Sequence, residues 1–174
     1  KEILEKIARK KKAMITWIKP LDNKWKLGIN GEIQRENAAV AKAILEEISN
    51  LGFFIDRKDI KNGLSSAKWK GRMQSVTWEG LPLLLDGAHN EHACMQLSKE
   101  RNTWPGNELG VKWLLAIQKN KNGPSILKQL IQKNDKAWII EVPKHKSWNA
   151  SELKIICNDL SSQIYHAENI MEAL

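Results

Sequence analysis

The chain has 174 residues, of which 42% are hydrophobic and 28% are charged, and its 28 Lys and Arg against 20 Asp and Glu give a formal net charge of +8. This composition is that of a globular protein and excludes an intrinsically disordered one. The length suits one domain of ordinary size plus part of a second. No segment approaches the roughly 18 consecutive apolar residues that a membrane-spanning helix needs, so we expect no membrane association.

The two ends of the chain and its cysteines indicate its cellular location and whether it belongs to a longer protein. Residues 1–12 contain no apolar core of the kind that a secretory signal requires. Cys94 and Cys157 are too few for a disulfide framework or a four-thiolate zinc site. We therefore expect a reducing, cytoplasmic location. Because the chain begins with Lys1 and residues 166–174 are typical of a helix just beginning, we also expect a piece of a longer protein.

The first third of the chain predicts three helices and one hairpin. The predicted elements are a helix over 1–12, a strand over 13–19 that stops at Pro20, a second hairpin strand over 24–29, an alanine-rich helix over 35–50 and a helix over 57–63.

From residue 73 onwards the pattern changes to alternating strands and helices. The strands are predicted at 73–79, 81–85, 110–117, 136–142 and 163–166, and the helices at 91–101, 124–133, 150–160 and from 168. Connections this short between strands of parallel type imply an open α/β sheet. The predicted fold class is α/β, a Rossmann-like and mostly parallel sheet flanked by helices. The change of pattern predicts a domain boundary near residues 63–70, with domains over 1–65 and 66–174.

Eight tryptophans and an excess of positive charge raise the alternative of nucleic-acid binding. Such binding needs cations gathered on one face and exposed aromatic side chains for stacking. The dense basic run Arg9–Lys12 ends a predicted helix, where cations complement the helix dipole. Trp113 and Trp138 lie in apolar runs and are predicted to belong to the core. We therefore expect no nucleic acid among the partners.

The loop DGAHN follows an apolar strand directly, at the place where ligands bind in open α/β sheets. Asp86 can accept hydrogen bonds from a ribose diol, and His89 can donate to a phosphate or polarise an acyl oxygen. Gly87 and Ala88 leave room for a ligand to approach the backbone. The N–H groups at the start of the following helix favour an anion. From the residues alone, an equal alternative is that Asp86 and Asn90 merely cap this helix.

Three motifs in a fixed order carry a resemblance to a known family. They are Gly31-Glu32-Ile33-Gln34-Arg35-Glu36-Asn37-Ala38, then Trp69-Lys70-Gly71-Arg72, and then LLLDGAHN after a strand pair. With them the chain resembles the folylpolyglutamate synthase/dihydrofolate synthase family of the Mur ligase group. The resemblance implies the end of a central ATPase domain, followed by most of a Mur ligase C-terminal domain that is truncated at its end.

The resemblance also implies site residues. Asn37 matches an asparagine that hydrogen-bonds the adenine ring, Arg72 an arginine that reaches the ATP phosphates, and Asp86 an aspartate near the ribose. The rest of the nucleotide-contacting loop is matched by Gly87, Ala88 and His89. Arg72 and His89 are thereby the candidate catalytic residues, and no metal ligand is expected in this chain. Without the resemblance, Asn37 would be a surface or cap residue and Arg72 an ordinary exposed arginine.

The chain also departs from the family pattern. Ile33 stands where the family has a histidine, and Asn122 replaces the acid of a Lys-Asp pair, so Lys121 is predicted to be a solvated loop residue. None of the ten glycines is followed by lysine, although a phosphate-cradling loop requires that step. The resemblance places the Mg²⁺ ligands and a modified lysine upstream. We therefore expect no ligase activity from the chain by itself.

For the full-length enzyme, the resemblance implies ATP-dependent addition of L-glutamate to folate or dihydropteroate through an acyl phosphate. The expected cofactors are ATP and Mg²⁺, and the expected partners are ATP, L-glutamate and folate or dihydropteroate. The expected state is a monomer. Two alternatives stay open, namely a peptidoglycan-precursor Mur ligase, which shares the architecture, and a stand-alone nucleotide-binding or interaction module, which would also lack a phosphate loop.

Overall fold

Seven α-helices and five strands form the regular structure of the chain, and the computed structural model describes all residues from Lys1 to Leu174. The chain divides into two units, Lys1–Asp86 and Gly87–Leu174. The boundary between residues 65 and 66 that the sequence pattern suggests stays a prediction. None of the helices combines the length and the apolar character needed to cross a membrane.

The first unit contains three helices and one hairpin: α1 (Glu2–Lys11), α2 (Ile33–Asn50), α3 (Arg57–Ser66), β1 (Gln74–Trp78) and β2 (Leu81–Leu85). The three helices confirm the predictions for this region. α2 consists largely of strong helix formers and buries Ala38 and Ala39. α3 is capped by Asp56, whose side chain accepts a hydrogen bond from the N–H of Lys58.

The predicted hairpin between residues 13 and 29 is wrong. α1 ends at Lys12, which adopts the left-handed conformation with a φ of 52°. Residues 13–20 then form no regular structure and are all exposed, and neither predicted strand pairs with another strand. The residue types fit a strand, but a strand is stable only when a partner satisfies its N–H and C=O groups. α1 buries none of its residues either.

β1 and β2 form the predicted antiparallel hairpin, in which Gln74 lies opposite Leu85. The two turn residues, Glu79 and Gly80, have positive φ values of 46° and 82°. A two-residue turn of this kind matches the right-handed twist of the flanking strands. The register therefore brings the residues before β1 and after β2 to the same end of the hairpin.

The second unit alternates helices and strands: α4 (Glu91–Glu100), β3 (Lys112–Ala116), α5 (Gly123–Leu130), β4 (Lys136–Ile140), α6 (Ala150–Ile156), β5 (Ile164–His166) and α7 (Ile170–Ala173). β3, β4 and β5 form a parallel sheet in that order. This confirms the predicted α/β class with a parallel sheet flanked by helices. The β1–β2 hairpin forms a separate two-stranded sheet, so β2 does not extend the parallel one.

One face of the parallel sheet carries the core of the second unit. Trp113, Ala137 and Ile164 lie side by side across the three strands and are buried among side chains of α4, α5 and α6. The predicted core position of Trp113 is thereby confirmed. Trp138 lies on the other face, since side chains alternate along a strand. It is only half-buried and stacks on Tyr165 with ring centroids 5.3 Å apart.

The two cysteines belong to the same core. Cys94 of α4 and Cys157 after α6 are both 0% exposed, and neither forms a disulfide. Desolvation by burial raises the pKa of the Cys157 thiol, because the interior disfavours the thiolate. Both side chains therefore act as small apolar residues of the core.

A buried ion pair joins the end of α4 to the start of β4. Nη1 and Nη2 of Arg101 each donate to a carboxylate oxygen of Asp135 at 2.8 Å, and the two residues are 2% and 1% exposed. Asp135 also accepts hydrogen bonds from the backbone N–H groups of Val111 and Gln132 and from Nε1 of Trp113. A buried charge is tolerated only with such dense partnering, so this carboxylate organises the segments around it.

Gly110→Ala is expected to destabilise the chain more than Gly106→Ala. Both glycines have positive φ values, 94° and 72°, where a side chain is strained. A Cβ at Gly110 would lie 2.2 Å from the carbonyl oxygen of Asn134, whereas the space around Gly106 is open. We expect the free energy of unfolding to fall by about 1 kcal/mol in G106A and by about 3 kcal/mol in G110A, measured in urea. Equal losses of unfolding free energy in the two variants would show that the backbone around Asn134 shifts to accommodate the Cβ without an energetic penalty.

Candidate functional site

Two of the predicted site residues lie at the open end of the β1–β2 hairpin. The N–H of Met73 donates to Oδ2 of Asp86 at 2.9 Å, just beyond the last strand pair, Gln74 and Leu85. Arg72 precedes Met73, so its backbone adjoins the residue that holds the Asp86 carboxylate. The hairpin register thus brings Arg72 and Asp86 together, and their assignment to a ligand site stays a prediction.

The backbone that leads into β1 is a tight turn. Gly71 and Met73 have φ values of 69° and 44°, and the N–H of Gly71 donates to Oε1 of Gln74 at 2.8 Å. A non-glycine residue in the left-handed region costs on the order of 1 kcal/mol, and such strain clusters at functional sites. Arg72, between the two, is exposed. Its planar guanidinium could clamp phosphate oxygens of a ligand.

The rest of the DGAHN loop lies at the start of the second unit. Gly87 and His89 are exposed, and Ala88 is half-buried. Asn90 caps α4, since its Oδ1 accepts a hydrogen bond from the N–H of Ala93 at 2.9 Å. The capping alternative is therefore correct for Asn90. For Asp86 the structure shows a different contact: its Oδ2 accepts a hydrogen bond from the N–H of Met73.

The structure restricts the tautomer of His89. Nδ1 of His89 lies 2.8 Å from the carbonyl oxygen of Gly87. A carbonyl oxygen only accepts hydrogen bonds, so Nδ1 carries the proton in this contact. In the neutral ring, Nε2 is then the acceptor, and in the cation Nε2 becomes a second donor. His89 could therefore take a proton or donate one to an anionic ligand through Nε2.

Asn37 lies on a different element from Arg72 and Asp86. It is exposed in the second turn of α2, and its Nδ2 donates to Oε1 of Gln34 at 3.1 Å. Gln34 thus orients the amide, and the amide could pair with a purine edge through its donor and acceptor. A cavity of about 340 Å³, lined by side chains that include Trp25, Asn30 and Arg35, opens beside the start of α2. The adenine role of Asn37 stays a prediction.

One pair of residues was missed by the sequence analysis. Nδ2 of Asn122, the cap of α5, donates to Oε1 of Glu91, in the first turn of α4, at 2.7 Å. The neighbouring Lys121 is half-buried, and its carbonyl oxygen accepts from Nε1 of Trp148 at 2.9 Å. The predicted solvated loop at Lys121 is thus an anchored segment. The sequence Asn-Gly-Pro is typical of a helix start. No local pattern, however, indicates that Asn122 bonds Glu91, which lies 31 positions away.

The chain gathers no group of three or more His, Cys, Asp or Glu side chains that could hold a metal ion. Within the first unit, the end of the hairpin carries a guanidinium and a carboxylate, and these groups suit a phosphorylated ligand with hydroxyl groups.

Comparison with known proteins identifies the family. The C-terminal domain of dihydrofolate synthetase matches residues 70–173. A probable dihydrofolate synthetase of Schizosaccharomyces pombe is 28% identical over 157 residues, which cover 85% of this chain and 37% of that protein. The dihydrofolate synthetase of Saccharomyces cerevisiae is 30% identical over 118 residues, which cover 63% of this chain and 27% of that protein. The chain therefore spans about a third of the length of these relatives.

Solved structures share the fold. A Mycobacterium tuberculosis folylpolyglutamate synthase complexed with ADP and AMPPCP matches 99% of this chain and 44% of its own, with a TM-score of 0.79 at 17% identity. Escherichia coli FolC in complex with ADP matches 98% of this chain and 43% of its own, with a TM-score of 0.75 at 17% identity. Sequence and fold agree: the chain belongs to the folylpolyglutamate synthase/dihydrofolate synthase family and contains its dihydrofolate synthetase C-terminal domain.

Proposed function

We propose that this chain is the nucleotide-closing C-terminal part of a ligase that uses ATP to join L-glutamate to folate or dihydropteroate. The hydrogen bond from Met73 to Asp86 carries the proposal, because it places a carboxylate beside the backbone of Arg72. A carboxylate can accept hydrogen bonds from ribose hydroxyls and a guanidinium can bind phosphates, so this pair of residues suits a nucleotide.

The relatives support this direction. Curated relatives include dihydrofolate synthetases and a folylpolyglutamate synthase. Structures of the same fold include a folylpolyglutamate synthase complexed with ADP, and Escherichia coli FolC in complex with DHPP and ADP. A Yersinia pestis enzyme of this fold was crystallised with AMPPNP and a Mn ion.

The proposed reaction needs activation because a carboxylate is a poor electrophile. Transfer of the γ-phosphoryl group of ATP to the acceptor carboxylate gives an acyl phosphate and ADP. The amine of L-glutamate then attacks the acyl carbon, which forms the amide and releases phosphate and a proton. Negative charge gathers around the transferred group, so a protein accelerates such a step mainly by positioning and electrostatic stabilisation.

Each candidate residue has a distinct role in this proposal. Arg72 donates to phosphate oxygens and offsets the charge on the transferred group. Asp86 accepts hydrogen bonds from the ribose, and Asn37 pairs with the adenine edge. His89 helps to place phosphate or the incoming amino acid through Nε2. Exclusion of water by the closing domain protects the acyl phosphate from hydrolysis.

This chain gathers no group of three or more His, Cys, Asp or Glu side chains that could hold the divalent cation that would accompany the nucleotide. We propose that its ligands, like the phosphate-cradling loop, come from the remainder of the ligase. No step is therefore assigned to a metal in this chain.

A stand-alone nucleotide-binding module is the second candidate, because the lack of a Gly-Lys step in these 174 residues fits it equally well. The two functions are separated by assaying ADP formation in the longest natural form of the protein, with L-glutamate and either dihydropteroate or folate. Ligase function predicts ADP formation that depends on both L-glutamate and the acceptor. ATP binding without such turnover would support the module and contradict the ligase.

Replacing Asp86 by alanine is expected to weaken nucleotide binding about tenfold, since a charged hydrogen-bond partner of the ribose is lost. The dissociation constant for ATP is measured by calorimetry. D86N is the matched variant, because its amide oxygen can still accept from the Met73 N–H but carries no charge. We expect an intermediate loss in D86N. Equal affinity in D86A and in the unaltered protein would remove Asp86 from the ribose site.

A further inference from the structure

Helices α4 and α5 begin side by side, and a side-chain hydrogen bond joins their first turns. Nδ2 of Asn122 donates to Oε1 of Glu91 at 2.7 Å, across 31 positions of sequence. Asn122 is the cap of α5, and Glu91 is the first residue of α4. The two helices also contact each other. The bond therefore links two helix starts that already lie close together.

The amide of Asn122 performs two tasks at once. Its Oδ1 accepts from the N–H of Ser125 at 3.3 Å, which caps α5, and its Nδ2 donates to Glu91. A carboxylate caps a helix as well as an amide does, but it has no donor for Glu91 when it is ionised. The cross-link therefore depends on the amide nitrogen, whereas the cap does not.

Asn122 is itself firmly held. The preceding carbonyl, that of Lys121, accepts from Nε1 of Trp148, and α5 buries Ile126, Leu127 and Leu130 in the core. Glu91 follows directly on the loop that contains His89, which is exposed. The hydrogen bond thus links the buried helix α5 to the end of the exposed loop that contains His89.

Charge gives the bond a second consequence. The N–H groups at the start of α4 attract an anion, and an ionised Glu91 at that same position competes with any anionic ligand. The hydrogen bond from Asn122 holds Oε1 of Glu91 against the start of α5. Without the donor, the carboxylate is released next to the loop that would contact phosphate.

We propose that Asn122 and Glu91 are positioning residues that fix the His89 loop for an anionic ligand. The proposal rests on the proposed function in one respect, that the ligand is the phosphate part of a nucleotide. It assigns Asn122 a role beyond capping, since the bond to Glu91 sets both the loop geometry and the direction of the Glu91 carboxylate.

The test uses the 174-residue chain and a reversal of the hydrogen bond. N122D keeps the cap and sets two carboxylates against each other. In the double variant N122D/E91Q, the amide introduced at position 91 can donate to the carboxylate introduced at position 122, so the bond returns with its polarity reversed. N149D is the matched control, because Asn149 caps α6 and makes no bond to α4.

Two readouts are taken on each variant by NMR: the imidazole resonances of His89 without ligand, and the dissociation constant for ATP. In N122D we expect shifted and broadened His89 resonances and about tenfold weaker ATP binding. In N122D/E91Q we expect both readouts to return to within about twofold of the unaltered chain. N149D should leave both unchanged.

Unchanged His89 resonances in N122D would overturn the proposal, and so would a double variant that stays as impaired as N122D. If the unaltered chain binds no ATP, the proposed nucleotide function fails for this chain. The His89 resonances then still decide whether the pair positions the loop. The two failures are therefore distinguishable.

Discussion

Replacing Arg72 by alanine is expected to lower the turnover of the proposed ligase about 100-fold or more. In the proposed function the Arg72 guanidinium offsets charge on the transferred phosphoryl group, and alanine supplies no donor. Because Arg72 is exposed, the free energy of unfolding should change by less than about 0.5 kcal/mol. Turnover is measured as ADP formation, and stability by urea denaturation of the same preparations.

Two variants sharpen that experiment. R72K keeps the positive charge but loses the planar fork, so we expect most of the loss to persist. K70A removes a neighbouring exposed cation and should leave turnover unchanged. If R72A turns over as fast as the unaltered enzyme, Arg72 has no part in the reaction. If K70A is equally slow, the general positive charge of this turn matters and Arg72 has no special role.

Replacing Asp135 by alanine is expected to cost about 3–5 kcal/mol of unfolding free energy. The substitution leaves the guanidinium of Arg101 buried without a counter-charge and removes the acceptor for two backbone N–H groups and one indole. Since a domain has only about 5–15 kcal/mol in total, much of the second unit's stability would be lost. Urea denaturation followed by far-UV circular dichroism measures the loss.

The matched control for this prediction is an exposed ion pair. Lys42 and Glu46 pair along the surface of α2 at 2.6 Å, and E46Q should cost only about 0.3–0.5 kcal/mol. A loss below about 1 kcal/mol in D135A would mean that water enters and solvates Arg101. That result would contradict the view that Asp135 organises its surroundings.

Local patterns predicted the second unit well, for a physical reason. Its strands are short apolar runs, its helix starts carry asparagine caps, and the connections are brief, so each element is specified by nearby residues. The predicted strands at 13–19 and 24–29 failed because a strand depends on a partner that the local pattern cannot reveal. The same limit applies to Arg101 and Asp135, which lie 34 positions apart.

The candidate site shows the same division. The positions of Arg72 and Asp86 could be inferred from a hairpin with a two-residue turn, since the register then follows. The tautomer of His89 could not be inferred from the sequence. It depends on the carbonyl oxygen of Gly87, and only the conformation of the loop brings that oxygen close to Nδ1. The bond between Glu91 and Asn122 depends on how two helices pack, so it also lay beyond the sequence pattern.

The complete burial of both cysteines makes the chain convenient for site-directed spectroscopy. Thiol-specific reagents attack the thiolate, and a shielded thiol with an elevated pKa presents little of it. A single cysteine introduced at an exposed position such as Thr77 would react selectively, with Cys94 and Cys157 left in place. A fluorophore or spin label on the hairpin could then report whether added nucleotide changes its surroundings, without any change to the native core.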